Sequence, residues 1–146
     1  MKTNSFVLDF PDGLPKGTAQ QKGEAIRYKY VNGKRVPYIQ HYKKASVETM
    51  RRIFELKLKP YRPVKPSDKP IALAVIVYFD VKDRKLWGKF KTTRPDCDNY
   101  VKELKDSMTS VGFWEDDAQV CVLNVSKRYA ETGHIFIHWE EIGANG

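Results

Sequence analysis

The chain has 146 residues, enough for one domain that buries a core without disulfide or zinc staples. Its 41% hydrophobic and 12% aromatic content describes a folded globule and excludes a disordered tail. A net charge of +8 points to a polyanionic partner, while no apolar run nears the roughly 18 residues of a membrane span.

The opening MKTNSFVLDFPDG has an apolar stretch too short, and too interrupted by Asp9, for a signal peptide. A soluble, cytoplasmic protein is expected. Ser5–Phe10 reads as a first strand, stopped by Pro11-Asp12-Gly13. Ile26–Val31 and Lys34–Ile39 flank Asn32-Gly33, the strongest short hairpin signal, and Pro37 places the second arm at an edge. From Ser46 to about Lys59 the spacing of Val47, Met50, Phe54 and Leu58 predicts a helix, with Ser46 as N-cap and Pro60 as stop. Ile71–Val81 is a continuous β-branched run, too apolar for a half-exposed strand, and belongs in the middle of a sheet.

After a basic loop, Lys82 to Arg94, a second helix is expected from Asn99 to about Ser110, capped by Gly112. Cys97, Val101, Leu104, Met108 and Val111 form its core stripe. Gln119–Tyr129 and His134–Ile142 read as a closing hairpin about Thr132-Gly133. The order β-β-β-α-β-α-β-β gives an α+β fold, a single domain over residues 1–146 with two helices packed on a mixed sheet. Cys97 and Cys121 read as two reduced core thiols. His134 and His138 lie in alternating HIFIHWEEI, where strand geometry holds i and i+4 about 13 Å apart, so they form no metal pair.

Charge is unevenly spread. Between Asp96 and Asp117 seven acids face two lysines, a net of −5 that leaves +13 on the rest of the chain. A basic body around an acidic island suits a phosphate-binding surface with a cation site, and charge alone fits a solubilising surface equally well. The island holds two motifs. In Arg94-Pro95-Asp96-Cys97-Asp98-Asn99, an extended stretch would point Asp96 and Asp98 the same way, about 7 Å apart at Cα, toward one divalent ion. Magnesium suits such hard oxygen ligands, and manganese can substitute. Lys102, one turn beyond Asp98, can offset charge on a phosphate. The competing reading is plainer: the aspartates cap the helix, and Lys102 is an exposed helix lysine.

The second motif, Trp114-Glu115-Asp116-Asp117-Ala118-Gln119-Val120, stands just before a strand. A helix and its return turn would bring Asp117 to the same ion. Spacing alone does not decide between Asp116 and Asp117. Three carboxylates suffice for metal-assisted phosphoryl transfer.

Together the two motifs resemble the RusA-type Holliday junction resolvases: Asp96, Asp98, Asn99 and Lys102, then Trp114, Asp116, Asp117, Gln119 and Val120, in family order and spacing. The resemblance spans roughly residues 71 to 125. It implies that Asp96, Asp98 and Asp117 hold the metal, that Lys102 assists, and that Asp117 rather than Asp116 is the ligand. It further implies an α+β homodimer that resolves four-way DNA by paired nicks in recombination and repair. Where many members carry an arginine-bearing segment, this chain has Lys16 to Lys22.

Lys82, Arg84, Lys85, Lys89, Lys91 and Arg94 lead into the first motif and are expected to gather DNA phosphates, with Trp87 and Phe90 either stacking on exposed bases or pinning the loop. Lys34, Arg35, Lys43, Lys44, Arg51 and Arg52 read as a solvated hairpin and helix face. Two other functions compete: a nuclease for flaps or forks, and a basic nucleic-acid-binding protein without catalysis. The latter gives no reason for seven acids in one window.

Overall fold

The computed structural model describes residues 3–15, 22–43 and 45–143. The elements follow the expected order: β1 (Thr3–Phe10), β2 (Lys22–Val31), β3 (Lys34–Lys43), α1 (Ala45–Leu58), β4 (Ile71–Asp80), α2 (Cys97–Val111), β5 (Val120–Ala130) and β6 (Gly133–Glu141). One mixed sheet has the order β1-β6-β4-β5, and β2 with β3 forms a separate two-stranded sheet. The fold is α+β, with two helices.

The β4 run takes the central place its composition demands. It pairs antiparallel with β6 on one side and parallel with β5 on the other, and its residues alternate between buried and half-buried. This overturns the expected closing hairpin. β5 and β6 are joined by a short link, but β4 lies between them, because the most apolar strand fills both of its edges. The parallel β4–α2–β5 unit is the crossover that carries both acidic motifs.

One core cluster unites the sheet and helices, with Phe54, Leu104, Phe113, Trp114, Ile137 and Trp139 among its fully enclosed members. In α1, Met50, Phe54 and Leu58 are buried as the spacing predicts. The helix starts at Ala45, so Ser46 lies in its first turn rather than ahead of it. The side chains of Ser46 and Val47, and residues 16–21 of the Lys16 to Lys22 stretch, lie outside the described residues. α2 buries Tyr100, Val101, Leu104 and Met108, and Gly112 ends it at φ 101°, a left-handed turn that glycine adopts without strain. The β2–β3 turn has Asn32 at φ 51° and Gly33 at φ 78°, as a two-residue hairpin requires. Neither cysteine is a core thiol: Cys97 is half-buried and Cys121 exposed on an edge strand. His134 stacks on Tyr78 and His138 meets Ser5 Oγ, both on β6, which leaves the histidines apart as strand geometry requires.

Candidate active site

The first motif begins earlier in helix than its sequence suggested. α2 starts at Cys97, so Asp98 lies in its first turn, and only Asp96 keeps extended backbone, at φ −69° and ψ 145°. The alignment of Asp96 and Asp98 along one extended strand is therefore not realised. Acids are favoured at a helix N-terminus, which suits Asp98 in the first turn.

Asp96 occupies the N-cap position, yet its side chain makes no capping hydrogen bond. Two other aspartates behave conventionally. Asp83 accepts from the Lys85 amide, and Asp116 from the Ala118 amide at 2.9 Å. Both Asp96 and Asp98 are exposed, as is Lys102. Lys102 stands one turn from Asp98 and one turn from Asp106, an alternating row of charge along the outer face of α2.

The second motif is held by its neighbours. Trp114 is buried, and its Nε1 donates to Thr109 Oγ1 at 2.7 Å. The Gln119 amide donates to the carbonyls of Ser67 and Lys69, both at 2.9 Å, while its oxygen accepts from the Asp116 amide. A capping box thus closes over the 3-10 turn Asp117–Gln119. The Asp116 carboxyl is held below its usual range, first by the Ala118 amide, which donates to it, and then by the neighbouring Asp117 side chain. Asp116 is the turn residue; Asp117, half-buried, opens the turn that it caps.

Among the described residues Asp117 does not form a three-carboxylate metal group with Asp96 and Asp98. Its charge acts on Asp106, whose carboxyl is raised above its usual range by burial, lowered by Arg51 and raised again by Asp117. Asp106 lies eight residues beyond Asp98, about 12 Å along the helix axis. Among the described residues no three His, Cys, Asp or Glu side chains converge closely enough to hold a metal. α2 has 15 residues and its two ends carry the two motifs, so a shared ion for Asp96, Asp98 and Asp117 stays an expectation.

The basic loop is a fixed surface. Its backbone bonds run from Gly88 N to Tyr129 O at 2.8 Å and from Lys91 N to Lys127 O at 3.0 Å. Trp87 pins it: the ring is half-buried, and Nε1 donates to Val81 O at 2.9 Å. Phe90 is 61% exposed, with the Arg128 guanidinium 4.0 Å from its centroid. Lys82, Arg84, Lys85, Lys89 and Arg94 are exposed. Lys91 is drawn in, its Nζ donating to Thr93 Oγ1.

Three structural contributors escaped the sequence reading. Lys127 on β5 donates to the carbonyls of Thr93 and Pro95, each at 2.7 Å, and fixes the chain just before Asp96. Arg51 on α1 pairs with the enclosed Glu103 on α2 and reaches Asp106 at 3.5 Å, locking the two helices together. Asp106 itself sits between Lys102 and Asp117 in the electrostatics of the helix. Of these contacts only the Arg51 partner Glu103 carried a sequence signal, as a charged residue adjoining the apolar stripe.

The sequence model of the family described as Endodeoxyribonuclease RusA matches residues 13–140. The chain is 31% identical over 138 residues to the crossover junction endodeoxyribonuclease rusA of Lactococcus phage r1t, covering 94% of this chain and 98% of that protein. It is 43% identical over 53 residues to the uncharacterized protein YqaN of Bacillus subtilis (strain 168), covering 36% of this chain and 37% of that one.

Proposed function

Because the chain belongs to the RusA endodeoxyribonuclease family, we propose that it is a magnesium-dependent endonuclease that resolves four-way DNA junctions by paired nicks in recombination and repair. The observation that carries this reading is the uncapped Asp96. A capping aspartate is worth about 1 kcal/mol to a helix, and here that position holds a carboxylate that makes no capping hydrogen bond. Asp98 beside it, exposed and on the same turn, belongs to the same set.

Asp96, Asp98 and Asp117 would hold the ion. Their chemistry fits, since all offer hard oxygens and no histidine or cysteine pair competes. Their placement in one chain does not, so no catalytic step is assigned to the ion; when bound, it would supply charge neutralisation at the scissile phosphate. Asp117 stands with Asp106 at the far part of α2, and a homodimer offers a second Asp117 for the first chain's Asp96 and Asp98. A two-fold dimer also suits the substrate, because a four-way junction presents two like strands to two like sites. The exposed cations of Lys82 to Arg94 would gather phosphates, with Lys127 keeping that loop in place. Work on chromosomal or phage DNA places the protein in the cytoplasm; no helix among the described residues is long and apolar enough to cross a membrane.

Cleavage of four-way, flap and linear duplex DNA, each with magnesium or with chelator, tests the reading. Metal-dependent nicking that favours the four-way substrate is expected. Full activity in excess EDTA sinks the metal; preference for flaps or forks moves the enzyme to other branched DNA. Mixing Asp98→Asn with Asp117→Asn protein tests the shared site. Partial recovery is expected if each site draws on both chains, and none if each chain holds its own.

A further inference from the structure

The β2–β3 ribbon stands apart from everything that builds the acidic site. Among the described residues its strands pair with each other alone, and no side chain of it enters the core cluster. Residues 22–43 hold six cations against Glu24, a net of +5 in a chain of +8. An isolated two-stranded hairpin is marginal in water, so a ribbon kept this long and this charged needs a partner to rest on.

Cross-strand register sorts its side chains into two faces. Arg27 pairs with Tyr38, Lys29 with Val36 and Val31 with Lys34, which puts Arg27, Lys29 and Lys34 on one side. Tyr28 with Pro37, Tyr30 with Arg35 and Ile26 with Ile39 form the other. The cations are propped rather than limp. Lys29 lies 5.7 Å from the Tyr38 ring centroid, and the Arg35 guanidinium 3.7 Å from that of Tyr28. Among the described residues Lys29, Lys34 and Arg35 have no ion-pair partner.

We propose that this ribbon is a DNA-binding arm, laying its Arg27–Lys29–Lys34 face along one duplex arm of the branched substrate. The partner follows from charge and dimensions. Three cations on one face of the ribbon complement a phosphate backbone, and a two-stranded ribbon fits the roughly 12 Å major groove. Ten residues per strand span about 33 Å, close to one turn of B-form DNA. The inference rests on the nuclease reading for its substrate, but its contacts are with phosphates rather than with the cleavage point. It also gives residues 22–43 a role in binding that their sequence did not disclose.

The test is a salt titration of binding with the full chain, carrying Asp98→Asn to block cutting, on four-way and linear DNA. Arg27→Ala/Lys29→Ala/Lys34→Ala should weaken binding to both and lower the slope of log K against log salt by roughly 2 to 3. The charge-keeping Lys29→Arg/Lys34→Arg should retain the full slope, and Tyr30→Ser on the opposite face should leave it unchanged. An unchanged slope for the triple variant overturns the proposal. So does loss of slope in the arginine variant, which would mark a folding effect. If Tyr30→Ser instead splits a dimer in sedimentation while the triple variant keeps its slope, the ribbon serves a second copy of the chain. A reduced slope in a protein that proves unable to cut DNA leaves the arm standing and removes the nuclease reading.

Discussion

At the start of α2 and at the start of the 3-10 turn Asp117–Gln119, an aspartate with extended backbone stands in the capping position, and the two act differently. Asp116 bonds the Ala118 amide and is closed in by Gln119. Asp96 bonds no amide of its helix. The local sequences do not predict this difference, since aspartate is favoured at both positions. The difference lies in what surrounds each turn. Gln119 ties the second to Ser67 and Lys69 through its own side chain, whereas the first is positioned from behind, through the backbone carbonyls that Lys127 holds. A turn fixed through its backbone leaves its carboxylate for another task.

The largest expected effect is on cleavage. Asp96→Asn, Asp98→Asn and Asp117→Asn should each lower the single-turnover rate on four-way DNA by 100-fold or more, on the order of 3 kcal/mol in the barrier. Asp116→Asn, which can still cap, should lower it by less than about 10-fold. Equal losses at Asp96 and Asp116 would erase the distinction between the turns. An essential Asp116 beside a dispensable Asp117 would shift the family correspondence by one residue.

Next in size is the ground beneath the first turn. Arg51→Met removes the guanidinium that pairs with the enclosed Glu103. Because Arg51 is partly in water, the loss should fall below that of a fully buried pair, at about 2–3 kcal/mol of unfolding free energy. Denaturant melts would show it, and a change under about 0.5 kcal/mol would mean α2 is held by its apolar stripe alone. A smaller effect separates the caps themselves. Asp116→Ala should lower Tm by a few degrees while Asp96→Ala leaves it unmoved, since only the former loses a hydrogen bond. Equal Tm shifts in calorimetry would contradict the uncapped geometry.

The smallest effect is acid sensitivity. Asp116 is a stronger acid in the fold than in the unfolded chain, so its stabilisation is complete above the ordinary carboxylate range and is lost as pH falls through its folded value. The wild type should therefore destabilise more between pH 5 and pH 2 than Asp116→Asn does. Parallel melts over that interval would refute the assignment.

Much of the fold was legible because it rests on local pattern. Ile71–Val81 announced a central strand by its unbroken apolar run, Asn32-Gly33 announced its hairpin, and the stripe from Cys97 to Val111 announced α2. What stayed hidden depends on contacts distant in sequence. β5 and β6 look like a hairpin until β4 competes for both edges. Arg51 looks like a surface cation until Glu103, 52 residues away, meets it. The site was legible as chemistry, in its aspartates and their motif order, and illegible as geometry. Whether Asp98 falls in loop or helix turns on a boundary two residues wide, and Asp117's place turns on the length of α2.

β5 runs from the turn of Asp117 to Lys127, and Lys127 holds the carbonyls leading to Asp96. The strand is hydrogen-bonded along β4, so both acidic turns are tied to the same sheet. If the carboxylates meet only across two chains, the catalyst is set by mass action: activity per chain should fall as the protein is diluted below its self-association constant, and DNA that gathers two copies should restore it. A lone copy on DNA would then be a binder without a blade.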